Sequence, residues 1–111
     1  MLILSIIACV IVTVLMVLYK YPLVKVVGDS MYPTYHDGQY LKAVRVKANE
    51  NFKVGAVYVY KTLNGDVVIK RLDHENDYGL FFIGDNVQCS FDSRSYGYIP
   101  RENVIAVIIN P

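Results

Sequence analysis

The N-terminal segment constrains the fold of this chain most. Residues Leu2 to Tyr19 read LILSIIACVIVTVLMVLY and contain no charge, glycine or proline. As a helix rising about 1.5 Å per residue, this run spans roughly 27 Å, close to the thickness of a bilayer's hydrocarbon core. It is apolar on every side rather than along one stripe, which favours lipid over a protein core as its surroundings. Tyr19, Lys20 and Tyr21 then form a typical interfacial anchor.

Two other interpretations of this segment are a cleaved signal peptide and a buried core helix. The chain lacks the basic start and the small-x-small cleavage site of a signal peptide. A core helix would be apolar on one stripe only. We therefore predict a transmembrane anchor at residues 1–21 and one small β-rich domain at residues 22–111.

Charge and cysteine content exclude several classes of function. The formal net charge of the 111 residues is +1, which gives no reason to expect nucleic acid as a partner. Cys9 lies in the predicted membrane segment and Cys89 outside it, so the two cannot pair within one chain. No metal-ligand spacing occurs, and we expect no metal.

After Pro22 the sequence changes to short runs rich in Val, Ile, Tyr and Phe, separated by turn residues. This spacing is typical of an all-β domain. We predict a mainly β fold, a small antiparallel sheet preceded by one helix. The predicted strands cover residues 23–27, 39–46, 55–63, 66–72, 79–84 and 103–110.

One hairpin can be drawn in register from the sequence. Asn64-Gly65 predicts a two-residue type I′ turn, which places Val59 opposite Lys70. Strand alternation then surrounds Lys70 with aliphatic side chains. The lysine either extends its amine past them to solvent or is desolvated, which would lower its pKa and make it a usable base. The same-face neighbours in this register are Val57, Val59, Val68 and Leu72.

The segment VGDSMYPT, residues 27–34, places a serine on a turn before a proline. Ser30 is either part of a plain turn or an exposed nucleophile. A serine hydroxyl needs a base to attack a carbonyl, and a neutral lysine within hydrogen-bond reach can serve. A third segment, GDNVQCSFDSR at residues 84–94, is too polar for a strand and too specific for a generic loop.

Three segments in this order resemble the bacterial type I signal peptidases: GDSMYPT (28–34), VVIKRL (67–72) and GDNVQCSFDSRSYGYIP (84–100). The resemblance implies a membrane-anchored serine endopeptidase that removes signal peptides from secretory preproteins after small residues, of Ala-x-Ala type, without a cofactor. It implies that Ser30 is the nucleophile and Lys70 the general base. Ser90 would orient the lysine amine, and Asp92 and Arg94 would form a salt bridge that braces the loop.

The resemblance also bears on the oxyanion hole and the substrate pocket. Gly28 stands where some members carry a serine that serves the oxyanion hole, so backbone N–H groups, including that of Ser30, would have to donate instead. Met31 and Pro33 would fix the turn. We expect a small apolar pocket beside Ser30. The residues expected to line it are Val27, Met31, Val57 and Val59.

Several features depart from the family or leave alternatives. Many members carry a long insertion between the base and the last segment, whereas this chain has 13 residues between Lys70 and Gly84. Endoplasmic reticulum-type relatives use histidine as the base, which makes His74 a second candidate, but Lys70-Arg71 matches the bacterial type. LexA-like self-cleaving proteins share the GDSM segment, although the anchor and the last segment argue against them. A catalytically inactive, membrane-anchored paralogue acting as a scaffold is the remaining alternative, and the presence of both Ser30 and Lys70 argues against it.

The expected topology rests on two conflicting signals. Lys20 and Lys25 follow the anchor and no basic residue precedes it, so the charge rule places the following domain in the cytoplasm. The resemblance places it on the extracytoplasmic side of the plasma membrane. We follow the resemblance, because the cut must occur on the translocated side. The expected partners are secretory preproteins and the lipid bilayer.

Overall fold

The structure, a computed structural model, describes residues 1–109. Its first element is the helix α1, Leu2–Lys20, none of whose residues is buried. With a mean hydropathy of 3.0, the helix is long and apolar enough to cross a membrane, and a signal sequence would meet the same criteria. The N–H of Tyr21 donates to the Val17 carbonyl at 2.9 Å, and Pro22, which cannot continue a helix, follows.

Six strands form a single antiparallel sheet in the order β1-β2-β6-β3-β4-β5. The predicted mainly β fold is confirmed, and each of the six predicted runs overlaps one strand. The last run was predicted to end at residue 110, which lies outside the described residues. The strands are β1 Leu23–Lys25, β2 Tyr40–Arg45, β3 Val57–Lys61, β4 Val67–Asn76, β5 Gly79–Ile83 and β6 Val104–Ile108.

The predicted register of the β3–β4 hairpin is wrong by one residue. Tyr58, not Val59, lies opposite Lys70. The turn is longer than predicted, because the N–H of Thr62 donates to the Asp66 carbonyl at 2.8 Å across three intervening residues. A type I′ turn requires positive φ at both central residues. Among the described residues only glycines have positive φ, so Gly65 adopts it (+92°) and its neighbour Asn64 does not.

The corrected register exchanges the residues that share a face with Lys70. Val57 and Val59 point to the opposite face, where they pack in a core cluster with Met31. Facing residues of an antiparallel pair lie on the same side of the sheet, so Lys70 shares its side with Tyr58 and Tyr60. These two tyrosines belong to a second core cluster, which also contains Leu72, Leu80, Phe82, Ile99 and Val104.

The connection from β4 to β5 is a tight turn at Asp77 and Tyr78. Strand β4 runs to Asn76, four residues beyond its predicted end. The Asn76 side chain accepts a hydrogen bond from the N–H of Tyr78 at 2.9 Å, and Tyr78 is 82% exposed. The sheet therefore turns back on itself directly between β4 and β5, without a long insertion at this point.

Candidate active site

Ser30 lies on a turn that hydrogen bonds hold at both ends. The N–H of Gly28 donates to the Asp37 carboxylate at 2.8 Å, and the N–H of Tyr35 donates to the Met31 carbonyl at 3.0 Å. Met31 is 1% exposed, because its side chain is buried in the core cluster that contains Val57 and Val59. Anchored in this way, the turn holds a half-buried Ser30 in a fixed position.

The structure brings Ser30 and Lys70 together. The Nζ atom of Lys70 lies 2.9 Å from the Oγ atom of Ser30, within hydrogen-bond distance. Lys70 is only 5% exposed, and this burial lowers its pKa from the ordinary lysine value, while the Asp92 carboxylate acts in the opposite direction. A lysine that loses its proton readily, next to a hydroxyl, has the geometry that general-base catalysis requires.

The surroundings of Lys70 are apolar, and two of the four predicted neighbours, Val68 and Leu72, share its face, whereas Val57 and Val59 do not. Tyr58 lies directly across the hairpin, and Val68 and Leu72 precede and follow Lys70 on the same face of β4. Tyr58 and Leu72 are 3% and 1% exposed. The desolvated alternative for Lys70 therefore agrees with the structure, and aromatic and aliphatic side chains together form its environment.

Asp92 is a buried carboxylate at the centre of the last segment. It accepts hydrogen bonds from the N–H of Gly84 at 2.9 Å, from the Ser90 hydroxyl at 2.6 Å and from the guanidinium of Arg94 at 2.9 Å. It also caps the one-turn helix α2, Ser93–Tyr96. Burial alone would raise the pKa of Asp92, but the hydrogen bonds from Arg94 and Ser90 outweigh it and hold the pKa well below the usual range.

Ser90 contacts a different partner from the one that the resemblance implied. Its hydroxyl donates to Asp92, and within residues 1–109 no hydrogen bond joins Ser90 to the Lys70 amine. A short hydroxyl side chain bonds to the strongest acceptor within reach, and a carboxylate is a stronger acceptor than an amine. The expected Asp92–Arg94 ion pair, by contrast, is present.

The segment Gly84-Asp85-Asn86 holds the back of the serine turn, a role that sequence reasoning did not assign. The N–H of Asn86 donates to the Ser30 carbonyl at 2.8 Å, and its side-chain amide donates to the Asp29 carbonyl at 3.0 Å. A Cβ atom at Gly84 would lie 2.7 Å from the Ser30 carbonyl oxygen and closer still to the Ser90 hydroxyl. Only glycine allows this approach. The signal was present in the motif itself, which begins with these three residues.

Asp85 joins the serine turn to strand β4. Arg71 binds it in a bidentate manner, with Nε to Oδ1 at 2.8 Å and Nη2 to Oδ2 at 2.7 Å. The Thr34 hydroxyl donates to the same carboxylate at 2.6 Å. The hydrogen bonds that Arg71 donates to Asp85 lower the pKa of the Asp85 carboxyl and raise the pKa of the Arg71 guanidinium. This ion pair lies on the opposite face of β4 from Ser30 and Lys70, the pair that we call the dyad, and braces it.

A cavity of about 310 Å³ opens beside the dyad. Val27 and Met31 line it as expected, whereas Val57 and Val59 do not, because the corrected register buries them in the core. A second depression of about 360 Å³ borders the Arg71–Asp85 pair and includes neither member of the dyad. The residues that line the first cavity are Lys25, Val26, Val27, Ser30, Met31, Asp66, Val67, Val68, Ile69 and Lys70.

Donors for an oxyanion were expected from the backbone near Ser30. The N–H of Gly28 is engaged by Asp37, which leaves the N–H of Ser30 as the donor that the sequence predicted. Gly28 has a φ of +87° and open space where a Cβ would stand. A serine there would fit sterically but would adopt an unfavourable backbone conformation.

His74, the second candidate base, has other partners. Its ring nitrogens lie 2.7 Å from the Asp73 carboxylate and 3.0 Å from the Tyr98 hydroxyl, and the ring stacks on Phe81. Within the described part of the chain, none of its hydrogen bonds involves Ser30. The geometry favours Lys70 over His74 as the base.

Comparison with known proteins places these observations in a family. A model of the Peptidase S24-like family matches residues 13–95, a stretch that includes Ser30, Lys70 and Asp92. No curated protein matches the chain. Residues 1–109 contain no group of three or more His, Cys, Asp or Glu side chains that could hold a metal ion.

Proposed function

Because the chain belongs to the Peptidase S24-like family, a family of serine peptidases, we propose that it is a membrane-bound signal peptidase of the Ser–Lys type. It removes signal peptides from secretory preproteins by cutting after small residues. The observation that carries the proposal is the 2.9 Å approach of the buried Lys70 amine to the Ser30 hydroxyl.

The chemistry follows from this pair. Neutral Lys70 accepts the Ser30 proton as Oγ attacks the carbonyl carbon of the scissile bond, and the N–H of Ser30 donates to the oxyanion. The resulting ammonium returns the proton to the leaving amine. A water molecule then attacks the acyl-enzyme, with Lys70 again as the base, and restores free Ser30.

The cavity beside the dyad suggests how a substrate binds. It lies between residues 25–27, which lead into the serine turn, and residues 66–69 of the hairpin. An extended peptide in this position makes backbone hydrogen bonds to the flanking chain, and its apolar side chains contact Val27 and Met31. The apolar lining is compatible with the alanines of the expected Ala-x-Ala sequence.

The exposed helix α1 supports the membrane part of the proposal. This apolar helix has no buried residues and is long enough to cross a bilayer, where lipid would cover it. We place the chain in the plasma membrane with residues 22–111 on the extracytoplasmic side. Protease added to intact spheroplasts should then digest this part of the chain. Full protection until lysis would reverse the topology.

A cleavage assay tests the activity. The full chain in detergent, incubated with a preprotein, should release a product that begins directly after Ala-x-Ala, and Ser30→Ala should release none. Since one added methylene in an apolar pocket changes discrimination by about 1–3 kcal/mol, Phe in place of the last Ala should abolish cleavage. Efficient cutting after Phe would contradict the signal-peptidase assignment.

The family match also fits a second candidate, a LexA-like protein that cleaves itself. The same assay separates the two, because a self-cleaving chain would shorten during incubation and leave the preprotein intact. A folded wild-type chain that cleaves neither would be a scaffold.

A further inference from the structure

The helix α1 is fastened to the sheet at its C-terminal end. Only Tyr21 and Pro22 separate it from strand β1. The Nε atom of Arg45, at the end of β2, donates to the Tyr19 carbonyl at 2.7 Å, and its guanidinium carbon lies 4.3 Å from the centre of the Tyr19 ring. The N–H of Ala43 donates to the Pro22 carbonyl at 3.1 Å. The junction therefore has bonds on both sides of the connection.

Arg45 suits this position for two physical reasons. The last carbonyl groups of a helix have no intrahelical partner and carry partial negative charge, so a cation there is favourable. The planar guanidinium can donate to one such carbonyl while it stacks on an aromatic ring, which a lysine cannot do. A single half-buried side chain thus restricts both the tilt and the rotation of α1 relative to β2.

The junction lies at the level where the chain would leave the bilayer. Two further cation–aromatic pairs surround it, Lys20 with Tyr21 and Lys25 with Tyr40. Tyrosines and basic residues concentrate at the membrane–water interface, so such a belt fixes the depth of the junction.

The junction is also tied to the active site by a short, bonded path. Strand β1 pairs with β2, and beyond it the N–H of Val26 donates to the Gln39 carbonyl at 2.8 Å. Lys25, Val26 and Val27 then line the cavity beside Ser30. Fixing α1 against β2 therefore fixes the cavity relative to the membrane.

We propose that Arg45 is a positioning residue that clamps α1 to the sheet, so that the peptidase selects membrane-bound substrates by the number of residues between their apolar segment and the cleaved bond. This inference rests on the proposed function. A rigid junction presents the dyad at one height, and a substrate whose apolar segment is held in the same bilayer reaches it with one length of spacer.

The test uses the full chain in liposomes with a series of preproteins that differ only in the spacer between the apolar segment and Ala-x-Ala. Wild-type protein should cleave within a narrow range of spacer lengths. Arg45→Ala should cleave the longer and shorter spacers about tenfold better relative to the best one, because losing a charged hydrogen bond of this kind corresponds to a population shift of roughly that size. Arg45→Lys should restore the narrow range only in part.

Two controls separate positioning from a general structural role. Lys47→Ala removes an exposed cation two residues away and should keep the wild-type spacer range. A short soluble peptide, which has no apolar segment, should be cleaved by Arg45→Ala as fast as by wild-type protein. Equal loss on the soluble peptide would overturn the proposal, since Arg45 would then support the active site itself.

A second variant loosens the connection between α1 and the sheet while keeping Arg45. Two glycines inserted between Tyr21 and Pro22 loosen the connection and should broaden the spacer range in the same way. An unchanged range in both this variant and Arg45→Ala would overturn the proposal, while cleavage by wild-type protein would leave the proposed function intact. A wild-type chain that cleaves no preprotein at any spacing would overturn the function itself.

Discussion

Lys70 and Arg71 are consecutive residues of strand β4, and the two faces of the sheet treat their charges in opposite ways. On one face, burial lowers the pKa of Lys70, and its hydrogen-bond partner is the Ser30 hydroxyl. On the other, a bidentate carboxylate, Asp85, raises the pKa of Arg71. The same strand thus carries one cation that the protein destabilises and one that it stabilises.

The two environments show which property makes a basic residue a base. An ion pair holds a proton in place and serves as a brace, whereas desolvation without a directly bonded carboxylate releases the proton. Because neighbouring side chains of a strand point to opposite faces, a single strand supplies both the base and its support. Each of the following changes should affect one face more than the other.

The largest effect is expected for Lys70. Lys70→Met should lower kcat/KM by at least about a thousandfold, since no base then accepts the Ser30 proton, and Lys70→Arg should be equally inactive because guanidinium keeps its proton. At pH 7, Lys70→Met should be as stable as wild-type protein or more stable, because it removes an amine from an apolar site. Chemical denaturation and a peptide cleavage assay measure both quantities.

The pH dependence of that stability has a defined sign. The pKa of Lys70 is lowered in the folded state, so the unfolded chain binds more protons between that pKa and about 10.5. Wild-type stability relative to Lys70→Met should therefore rise with pH through this window. A loss of several kcal/mol in Lys70→Met at pH 7 would instead identify Lys70 as an ion-pair partner.

The Asp92 carboxylate interacts electrostatically with Lys70 and raises its pKa. Asp92→Asn should lower the free energy of unfolding by about 3 kcal/mol or more, because a buried carboxylate that accepts several hydrogen bonds is lost. In the wild-type protein, kcat/KM should fall at low pH, where Lys70 becomes protonated, and we call this fall the acid limb. Asp92→Asn should move the acid limb to lower pH, since the Asp92 charge raises the pKa of Lys70. Pre-steady-state cleavage across pH, at a temperature where the variant is folded, measures the limb. A limb displaced to higher pH would contradict the assignment.

On the opposite face, Arg71→Ala should act mainly on stability. Among residues 1–109, it leaves the Asp85 carboxylate with only the Thr34 hydroxyl as a side-chain partner. It should lower the free energy of unfolding by about 1–3 kcal/mol. Activity should fall far less than in Lys70→Met, and the position of the acid limb should stay unchanged. The matched variant Arg71→Met with Asp85→Leu should recover part of the stability, because no charge remains unpaired.

The smallest effect is expected at the turn that sets which face each residue occupies. Gly65→Ala places a side chain at a φ of +92° and should lower the free energy of unfolding by about 1–2 kcal/mol. The register is fixed along the whole hairpin, so kcat/KM of the folded protein should not change. A large drop in activity without unfolding would show that the turn, rather than the strand pairing, holds Lys70 in place.

The sequence predicted the six strands because each is a β-branched or aromatic run bounded by turn residues. It did not predict the register around Lys70, since Asn64-Gly65 is compatible with both a two-residue and a three-residue loop. The difference of one residue decides that Tyr58 rather than Val59 faces Lys70. Local sequence does not distinguish these loops, because the choice depends on packing of the whole hairpin.

The candidate site was also predicted only in part: its two central residues were identified from the sequence, but several of their supporting contacts were not. Ser30 and Lys70 could be identified because their segments resemble a known pattern, and the structure brings them into contact. The pairing of Arg71 with Asp85 was not foreseen, because it joins residues 14 apart that meet only when β5 folds back on β4. The prediction that Ser90 contacts the Lys70 amine was wrong for a similar reason. A hydroxyl has several acceptors within reach, and the three-dimensional geometry selects Asp92.

The tight turn between β4 and β5 has a consequence for how such a peptidase can grow. Asp77 and Tyr78 sit at the tip of a hairpin, seven residues or more along the strand from Lys70, and the side chain of Tyr78 is almost fully in solvent. A module inserted at an exposed hairpin tip leaves the strand pairing beneath it intact. Gly79 must remain, because a side chain there would collide with the Ile99 carbonyl. The hairpin tip is thus a site for domain insertion, where a binding domain could be grafted to direct the catalytic core to chosen substrates.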